Sequence, residues 1–503
     1  MGHGHPSTFK PVEYYRFGGK GKRITLGILA FGLLLTVVGL LIAGGKEYSM
    51  HAPASSGHGD HHAAAQQATG HTPAALVNQH EQAATAAPED SAQQAETQQT
   101  THAPAGTQHP ADAHAAPAQG ETHAHPWEGH YSFIHSEKDL PTADKRFFSN
   151  LLINGFIFTG VALLGLFFIT VHHVANGGWY VQLQRIAESM GYWLFIGPVI
   201  LLIVYFVAGD SLYMWLNPEA IQDPEVRALV TDKAAWWLSD GFFVARHLVF
   251  FSLWILLFWL IRRSSLREDT LAGKQSWIQR NKLSSIYILV FALTFSAASW
   301  DWLMSVETTW FSTMFAVRTF SSAWVMALAI ITLVAVFLKQ AGYMPTLSPS
   351  IFHDLGKYLF GFSIFWTYIW FCEFLLIWYA NIPEEGIYFY NRLGDYGFSF
   401  GLMAILNFLL PFLVLMTNQS KRSLPTLVFV SCVLLLGHWV DFYLMVMPGS
   451  MGPFGEIGLL ELGMFITFLG AFLFVLGTFL AKKPLMPKNH PYLEESLGHH
   501  YDI

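Results

Sequence analysis

Acidic and histidine side chains occur inside the apolar stretches of this sequence, where an ionisable group needs water, a partner or a function. Asp301 and Glu307 lie in ASWDWLMSVETTWFSTMF, a tryptophan-rich stretch between two apolar runs. His438 and Asp441, three residues apart, share one face of a helix, and Glu373 lies deep in another run. Because a charge at the centre of a membrane helix costs about 2.5–3.5 kcal/mol, these residues predict a proton-handling cluster.

Four further side chains extend this candidate cluster. Arg246 and His247 lie near the start of one apolar run, Asp240 shares the His247 face, and Glu461 lies in the first turns of the last run. The alternative is structural, with ion pairs for the deep residues, Arg246 as their partner, and solvated loop positions for the two acids of the tryptophan-rich stretch. The complete set of candidates for a proton path or quinol site is Asp301, Glu307, Glu373, His438, Asp441, Arg246, His247, Asp240 and Glu461.

A second polar group precedes the apolar run that holds Glu373. His353, Asp354 and Lys357 are of the type that more often caps a helix at the level of the lipid headgroups. Together with Ser363 and Thr367, one turn apart, they form the alternative start of an inner half-path for protons.

The elements that must position these residues are membrane helices. The chain has 503 residues, of which 52% are hydrophobic and 13% charged, whereas soluble proteins carry about 25% charged residues. Apolar runs of about 20 residues therefore predict an all-α integral membrane protein. Trp300, Trp302 and Trp310 would then form an interfacial belt. The ten predicted spans are 24–43, 147–171, 191–209, 241–261, 283–304, 311–338, 356–380, 397–417, 424–446 and 456–481.

Short-loop cations predict the orientation of these spans. With ten spans, most Lys and Arg residues fall on one side, which places both termini in the cytoplasm. The loop 172–190 gives the weakest support, because Arg185 is its only cation. The first span is too long for a cleaved signal peptide and lacks a cleavage site, so we expect it to be retained. The cations that decide the orientation are Arg16, Lys20, Lys22, Arg23, Arg262, Arg263, Arg267, Lys274, Arg280, Lys282, Lys339, Lys421, Arg422, Lys482 and Lys483.

The segment 51–146 between the first two spans differs from the rest of the chain. From His51 to His125 it consists largely of Ala, Gln, His, Thr and Pro, with no Lys or Arg. Such a composition cannot bury enough apolar surface to fold, and the topology places it outside the cytoplasm. It is predicted to be a disordered periplasmic tether. The alternative, a metal-gathering or proton-buffering arm, has only irregularly spaced histidines in its favour.

Three pairs of short stretches suggest an internal repeat. The third and seventh spans open on MGYWLF and LGKYLF, the fourth and eighth follow SDGFF and GDYGF, and the fifth and ninth end in WDWLM and VDFYLM. Equal order and orientation favour two four-helix bundles related by an axis along the membrane normal, with Asp301 and Asp441 in equivalent places. Chance similarity of aromatic-rich helices is the alternative. The predicted parts of the chain are 1–50, 51–146, 147–305, 306–450 and 451–503.

Composition and motifs exclude several functional classes. A formal net charge of −7 provides no basic surface for nucleic acid. Cys372 and Cys432 both fall in spans and cannot build a disulfide framework, a cysteine-rich metal site or an iron–sulfur cluster. A b-type haem needs facing histidine pairs, and His247 with His438 is the only candidate pair within spans. We therefore expect no redox cofactor or metal bound by this chain.

Three stretches resemble a known family: WDWLMSVETTWFSTMF, FCEFLLIWYANIPEE and HWVDFYLMVMP. The chain resembles, from Phe147 to Lys483, the NrfD/polysulfide-reductase membrane subunits, specifically the second such subunit of alternative complex III. That complex is a quinol:electron-acceptor oxidoreductase of the bacterial inner membrane. Asp301, Glu307 and Glu373 occupy motif positions of the family.

The resemblance implies a partner complex and a site of quinol oxidation. Its partners would be a sister NrfD-like subunit, an iron–sulfur protein, multihaem and monohaem cytochromes c, and a terminal oxidase as acceptor. Quinol, expected to be menaquinol, would be oxidised near the outer face, and the sister subunit is the better candidate for its pocket. This chain would then supply a scaffold or a proton path.

Two other functions fit the sequence. Parallel repeats and intramembrane acids also suit a stand-alone proton-coupled transporter, in which Pro198 and Pro411 would each break a helix. Against this function, transporter substrate sites usually lie near the midplane, whereas the acids of this chain lie toward the outer face. A third function is a structural anchor for redox subunits. Co-purification separates the transporter from the other two, and acid-to-amide variants separate the proton path from the anchor.

Overall fold

The computed structural model describes residues 14–46, 141–221, 223–270 and 274–500, in which all regular structure is helical. Ten helices in these ranges are long and apolar enough to cross a membrane, as predicted. Helices satisfy every backbone N–H and C=O internally, which hydrocarbon requires. Numbered in chain order, they are α1 (Gly19–Gly44), α2 (Ala143–Val174), α3 (Trp179–Leu212), α4 (Asp240–Glu268), α5 (Gln275–Val306), α6 (Met314–Gln340), α7 (Pro349–Ala380), α8 (Gly397–Val414), α9 (Leu424–Phe454) and α10 (Leu459–Leu480).

The third span is longer than predicted, and two spans are interrupted. Helix α3 begins at Trp179 rather than at residue 191, so Arg185 belongs to the buried helix and not to a loop. A 3-10 segment at Gly191–Phe195 precedes Pro198, and a π-helical segment at Ile405–Leu409 precedes Pro411. Proline has no N–H to donate to the preceding turn, which explains both interruptions and confirms the expected helix breaks.

The helix contacts follow the same pattern in the two halves of the chain. In the first half, α2 packs against α3 and α5, and α4 packs against α3 and α5. In the second, α6 packs against α7 and α9, and α8 packs against α7 and α9. The halves meet through α2–α6, α2–α9 and α5–α6, which is the set that a two-fold relation between them produces. The packing therefore agrees with the repeat inferred from the sequence.

Helices α1 and α10 form an antiparallel pair held by close glycine contacts. A Cβ atom at Gly32 would lie 2.4 Å from the backbone nitrogen of Thr467, and one at Gly463 would lie 2.4 Å from that of Thr36. Small residues allow backbones to approach this closely, which is how apolar helices gain packing energy in lipid. The other side of α10 packs on α2 and α3.

The helix ends define two faces of the structure. The Asp301 face carries the C-terminal end of α5 and the short helices Pro224–Ala235 and Pro383–Gly394. The opposite one, which we call the Arg185 face, is covered by the C-terminal segment 481–500, where Gln182 donates to the Ser496 carbonyl at 2.8 Å. The cation distribution predicts that the Arg185 face is cytoplasmic. The predicted tether, 51–146, lies outside the described residues except for its last few positions.

Candidate functional site

Asp301 is fully buried at the end of α5 and has specific partners, which excludes the solvated-loop alternative. Its Oδ1 accepts a hydrogen bond from Trp237 Nε1 at 2.8 Å, and its Oδ2 accepts one from Arg246 Nε at 2.9 Å. The guanidinium of Arg246 also lies over the Trp237 ring, 4.2 Å from its centroid. His247 Nε2 is 3.5 Å from the same Oδ2. A hydrogen bond to each oxygen, together with the adjacent guanidinium, balances the burial of this carboxylate.

The acids of the second half converge on one arginine. Arg318, in the second turn of α6, donates to Asp441 Oδ1 through Nε (3.2 Å) and Nη2 (2.5 Å). Its Nη1 donates to Glu373 Oε2 at 3.1 Å. Ser322 and Trp366 donate to the other oxygen of Asp441 at 2.6 and 2.9 Å. All of these side chains are buried, so α6, α7 and α9 together form one desolvated polar cluster.

This cluster, which we call the Arg318 cluster, has a different cation from the one that the structural alternative offered. That alternative gave Arg246 as a partner for the deep acids, but Arg246 pairs with Asp301, and Arg318 neutralises Asp441 and Glu373. Arg318 lies within the predicted sixth span, and the rule that singles out the acids applies to it equally, although sequence reasoning missed it. Asp301 and Asp441 have the same partner types, an arginine and a tryptophan N–H.

The Arg318 cluster has one more carboxylate than it has cations. Two ionised acids and one guanidinium leave a single surplus negative charge, which one bound proton would neutralise. Glu373 Oε1 has no hydrogen-bond partner among the described residues. His438 lies one turn from Asp441 and edge-on to Trp366, and neither of its ring nitrogens has a partner in the described part of the chain. The cluster therefore has unused hydrogen-bonding capacity at a carboxylate and at an imidazole.

Glu307 is paired rather than solvated. Its Oε2 accepts from Arg392 Nη2 at 2.8 Å, and the Arg392 guanidinium lies 3.3 Å from the centroid of the Tyr388 ring. Tyr388 stacks on Trp310 at 3.7 Å. Burial, opposed by the charges of Arg392 and Arg318, raises the pKa of Tyr388 to about 12, so its hydroxyl is protonated at neutral pH. That hydroxyl has no hydrogen-bond partner among the described residues.

Two of the predicted candidates belong to other contacts. Glu461, at the start of α10, pairs with Arg146 of α2 at 2.7 Å and accepts from Asn150 at 3.1 Å. It also accepts from the Gly458 N–H, which makes it part of the N-terminal cap of its helix. Asp240 is exposed and accepts from the Tyr205 hydroxyl. The predicted single cluster is thus divided, because the described side chains form separate groups around Arg246, Arg318, Arg392 and Arg146.

The expected inner half-path residues form a capped group at the Arg185 face. Asp354 pairs with Lys357 at 2.5 Å and with His499 of the C-terminal segment at 2.6 Å, while His353 is buried beside it. Ser363 and Thr367 donate to carbonyls of the preceding turn of α7. The headgroup-level cap describes these contacts better than a continuing path does.

A second polar network at the Arg185 face has no counterpart among the sequence-based predictions. Arg185 donates to Glu188 at 2.8 Å and to Asp269 at 2.5 Å, and Arg262 pairs with the same Glu188. Ser265 also donates to Glu188. The sequence places Arg185 in a loop and gives Arg262 only as an orientation signal, since no pattern indicates that they face a common acid. Arg185, Glu188, Arg262 and Ser265 are buried, and the network holds α3 against α4.

The prediction of an interfacial tryptophan belt is wrong for two of its three members. Trp302 is fully buried and packs edge-on against His247, while Trp310 is buried in the stack with Tyr388. Only Trp300 is partly exposed. A tryptophan near the end of a span looks the same in the sequence whether its side chain faces lipid or another helix.

Comparisons with known proteins give no assignment. The chain matches no family model and no curated protein sequence. The resemblance to the NrfD/polysulfide-reductase family therefore stays a prediction from the three stretches that carry it. Within the described ranges, no group of three or more His, Cys, Asp or Glu side chains is arranged to hold a metal ion.

Proposed function

We propose that this chain is an integral membrane subunit of a respiratory quinol:electron-acceptor oxidoreductase of the alternative complex III type. In this proposal it contributes a scaffold and a proton path next to the site of quinol oxidation, and a sister subunit is the better candidate for the quinol pocket itself. Iron–sulfur clusters and c-type haems belong to partner subunits, and cytochrome c or a terminal oxidase accepts the electrons. The Asp301 face is then the periplasmic side of the bacterial inner membrane.

The observation that carries the proposal is the Arg318 cluster. Oxidation of a quinol releases two protons for every two electrons, and groups near the site must accept them. Asp441 and Glu373 share one guanidinium, so a proton bound by this pair neutralises the cluster instead of charging it. His438, buried one turn away, offers an imidazole with no partner in the described residues.

The position of the Arg318 cluster in the helices supports a function near the Asp301 face. Arg318 lies in the second turn of α6, and Glu373 lies in the last two turns of α7, both toward that face. The neighbouring Glu307–Arg392 pair lies outside the spans, at the end of α5 and in the short helix Pro383–Gly394. Protons accepted at Glu373 therefore have a short distance to the surface.

The first test is on the native protein, tagged at its C-terminus and extracted in mild detergent. A reduced menaquinol analogue is added, and the absorbance of c-type haem is followed together with proton release to a pH indicator. Reduction of co-purified haem places the chain in a quinol-oxidising complex. A colourless single-subunit preparation with no response to quinol refutes the proposal.

Amide variants then separate a proton path from a scaffold. Asp441→Asn and Glu373→Gln should each lower the rate of haem reduction at least about tenfold. This lower limit is smaller than the loss that is usual when a proton-transfer group is removed. Glu461→Gln is the matched control, because Glu461 is equally buried and arginine-paired but belongs to a separate group. If all three variants reduce haem at the same rate, with haem content unchanged, the proton path is refuted and only the scaffold role remains.

A proton-coupled transporter is the second candidate, and the broken helices favour it. The interruptions at Gly191–Phe195 and Ile405–Leu409 are of the kind that lines substrate sites in transporters. Asn407, in the second interruption, is buried, and its amide has no partner among the described residues. Proton-driven uptake by proteoliposomes that contain this chain alone would favour this candidate over the first.

A further inference from the structure

A long apolar groove runs along the surface of α10 between α1, α6 and α9. Its volume is about 550 Å³, and along α10 its lining extends from Leu462 to Leu480, about 27 Å at 1.5 Å per residue. The walls from α1 and α6, which include Ile24 and Leu333, lie in the half nearer the Arg185 face. The groove therefore has walls from neighbouring helices over one leaflet of a bilayer, whose hydrocarbon core is about 15 Å thick.

Helix α1 is the least buried of the ten spans. Only 17% of the residues in its apolar 18-residue stretch are buried, the lowest share among the ten. Its main contacts are with α10, while the groove separates it from α6 and α9. An occupant of the groove would fill the space between α1 and the second bundle.

The mouth of the groove at the Arg185 face is strongly basic. Arg16, Lys20, Lys22 and Arg23 are exposed there, and residues 14–25 contain no acid. Lys22 and Arg16 line a cleft that adjoins the groove and shares Tyr15 and Phe17 with it. The end of α10 adds two exposed cations, Lys482 and Lys483. A headgroup at this mouth would meet positive charge on both sides.

We propose that this groove binds one anionic phospholipid, with an acyl chain along α10 and the phosphodiester at the cations of residues 16–23. Apolar walls over one leaflet take the chain, and the basic mouth selects a negative headgroup over a zwitterionic one. Clusters of Lys and Arg beside a membrane helix attract anionic lipids for the same reason. The bound lipid joins α1 to α6 and α9, and this inference does not depend on the proposed function.

The test uses the full-length protein in nanodiscs made of equal parts phosphatidylglycerol and phosphatidylcholine. Native mass spectrometry counts the lipids that remain bound after release from the disc. The wild type should retain one phosphatidylglycerol, in preference to phosphatidylcholine by about tenfold or more. Equal retention of the two lipids overturns the proposal, as does retention of an isoprenoid quinone in place of the phospholipid when menaquinone is included in the disc.

Charge variants test the headgroup site. Arg16→Gln, Lys20→Gln, Lys22→Gln and Arg23→Gln in one protein should abolish the preference for phosphatidylglycerol. The matched control changes four exposed cations of the same face that lie away from the groove. If this control loses the preference equally, the effect is general surface charge, and the proposed site is refuted. The control substitutions are Arg263→Gln, Arg267→Gln, Lys282→Gln and Lys488→Gln.

Groove variants provide an independent test should the charge variant fail to insert. Leu333→Trp with Leu469→Trp fills the groove while leaving every cation in place, and should lower retention of phosphatidylglycerol several-fold. Leu293→Trp, on an exposed part of α5, should leave retention unchanged. Unchanged retention in the filled groove would overturn the assignment of the acyl chain.

Discussion

Replacing Arg318 by methionine removes the cation that two buried acids share. The guanidinium makes three hydrogen bonds, two to Asp441 and one to Glu373, and methionine keeps much of the apolar volume without the charge. Asp441 keeps its donors Ser322 and Trp366, but Glu373 loses the only hydrogen-bond partner that its carboxylate has among the described residues. The variant therefore leaves an uncompensated carboxylate in a desolvated site.

The expected loss is about 3–5 kcal/mol in the free energy of unfolding, because breaking a buried pair leaves a buried charge unpaired. Neutralising both acids should restore most of it. A triple variant with Arg318→Met, Asp441→Asn and Glu373→Gln has no net charge in the cluster, and the new amide at position 441 keeps a carbonyl that accepts from Ser322 or Trp366. Replacing a buried ion pair as a unit is often close to neutral.

Unfolding by SDS in mixed micelles, followed by tryptophan fluorescence, measures these free energies. Arg263→Met is the control, because Arg263 is exposed on the Arg185 face, and its removal should change stability by no more than about 0.5 kcal/mol. Two results would refute the reasoning: an Arg318→Met protein as stable as the control, or a triple variant less stable than the single one.

Three further predictions concern other parts of the fold. Burial, with repulsion from Arg280, His173 and Arg185, lowers the pKa of His490 from 6.5 to about 2. Below pH 6.5 the unfolded chain therefore binds more protons than the folded chain. The contribution of His490 to the free energy of unfolding is fully present above that pH and falls by up to about 1.4 kcal/mol per pH unit below it. His490→Gln should reduce this slope between pH 5 and 6.5, and an unchanged slope in SDS unfolding would contradict an origin in His490. Tyr388→Phe removes only a hydroxyl that has no partner among the described residues and should cost less than about 0.5 kcal/mol, whereas Tyr388→Ala loses the Trp310 stack and should cost about 3–5 kcal/mol. Equal losses in thermal unfolding would mean that the hydroxyl has a partner. Thr36→Cys with Thr467→Cys, in a chain without Cys372 and Cys432, should form a disulfide because the two hydroxyls are 3.3 Å apart. Adding Gly463→Leu should reduce that cross-link several-fold, since its side chain would meet the backbone of Thr36; undiminished cross-linking on gels would show that α1 and α10 pack differently.

Much of the fold was predictable because membrane insertion depends on local composition. A run of about 20 apolar residues is sufficient to predict a spanning helix, and all ten runs form one. Pro198 and Pro411 also marked the helix breaks correctly, since a missing N–H acts within one turn. The start of α3 at Trp179 was not predictable in this way. Its first turns contain buried Arg185 and Glu188, whose charges hide the apolar character of the helix until they pair.

The acids of the candidate site were predictable from the sequence, but the side chains that pair with them were not. A carboxylate inside an apolar run must be neutralised, so Asp301, Glu373 and Asp441 stand out in the sequence. Arg318 and Asp441 are separated by 123 positions, and no periodicity indicates which helices become neighbours. The tryptophan belt failed for the same reason, because Trp310 is buried by a stack with Tyr388 from a distant short helix.

By itself the sequence determined an all-α chain with ten spans, where two of them break, and which acids need a cation. The tertiary structure decided which arginine each acid receives, and so divided one predicted cluster into separate groups around Arg246, Arg318, Arg392 and Arg146. The physical reason is the distance over which each of these effects acts. Burial in lipid acts on each segment separately, whereas a charge-assisted hydrogen bond acts only within about 3 Å, a distance that helix packing alone sets.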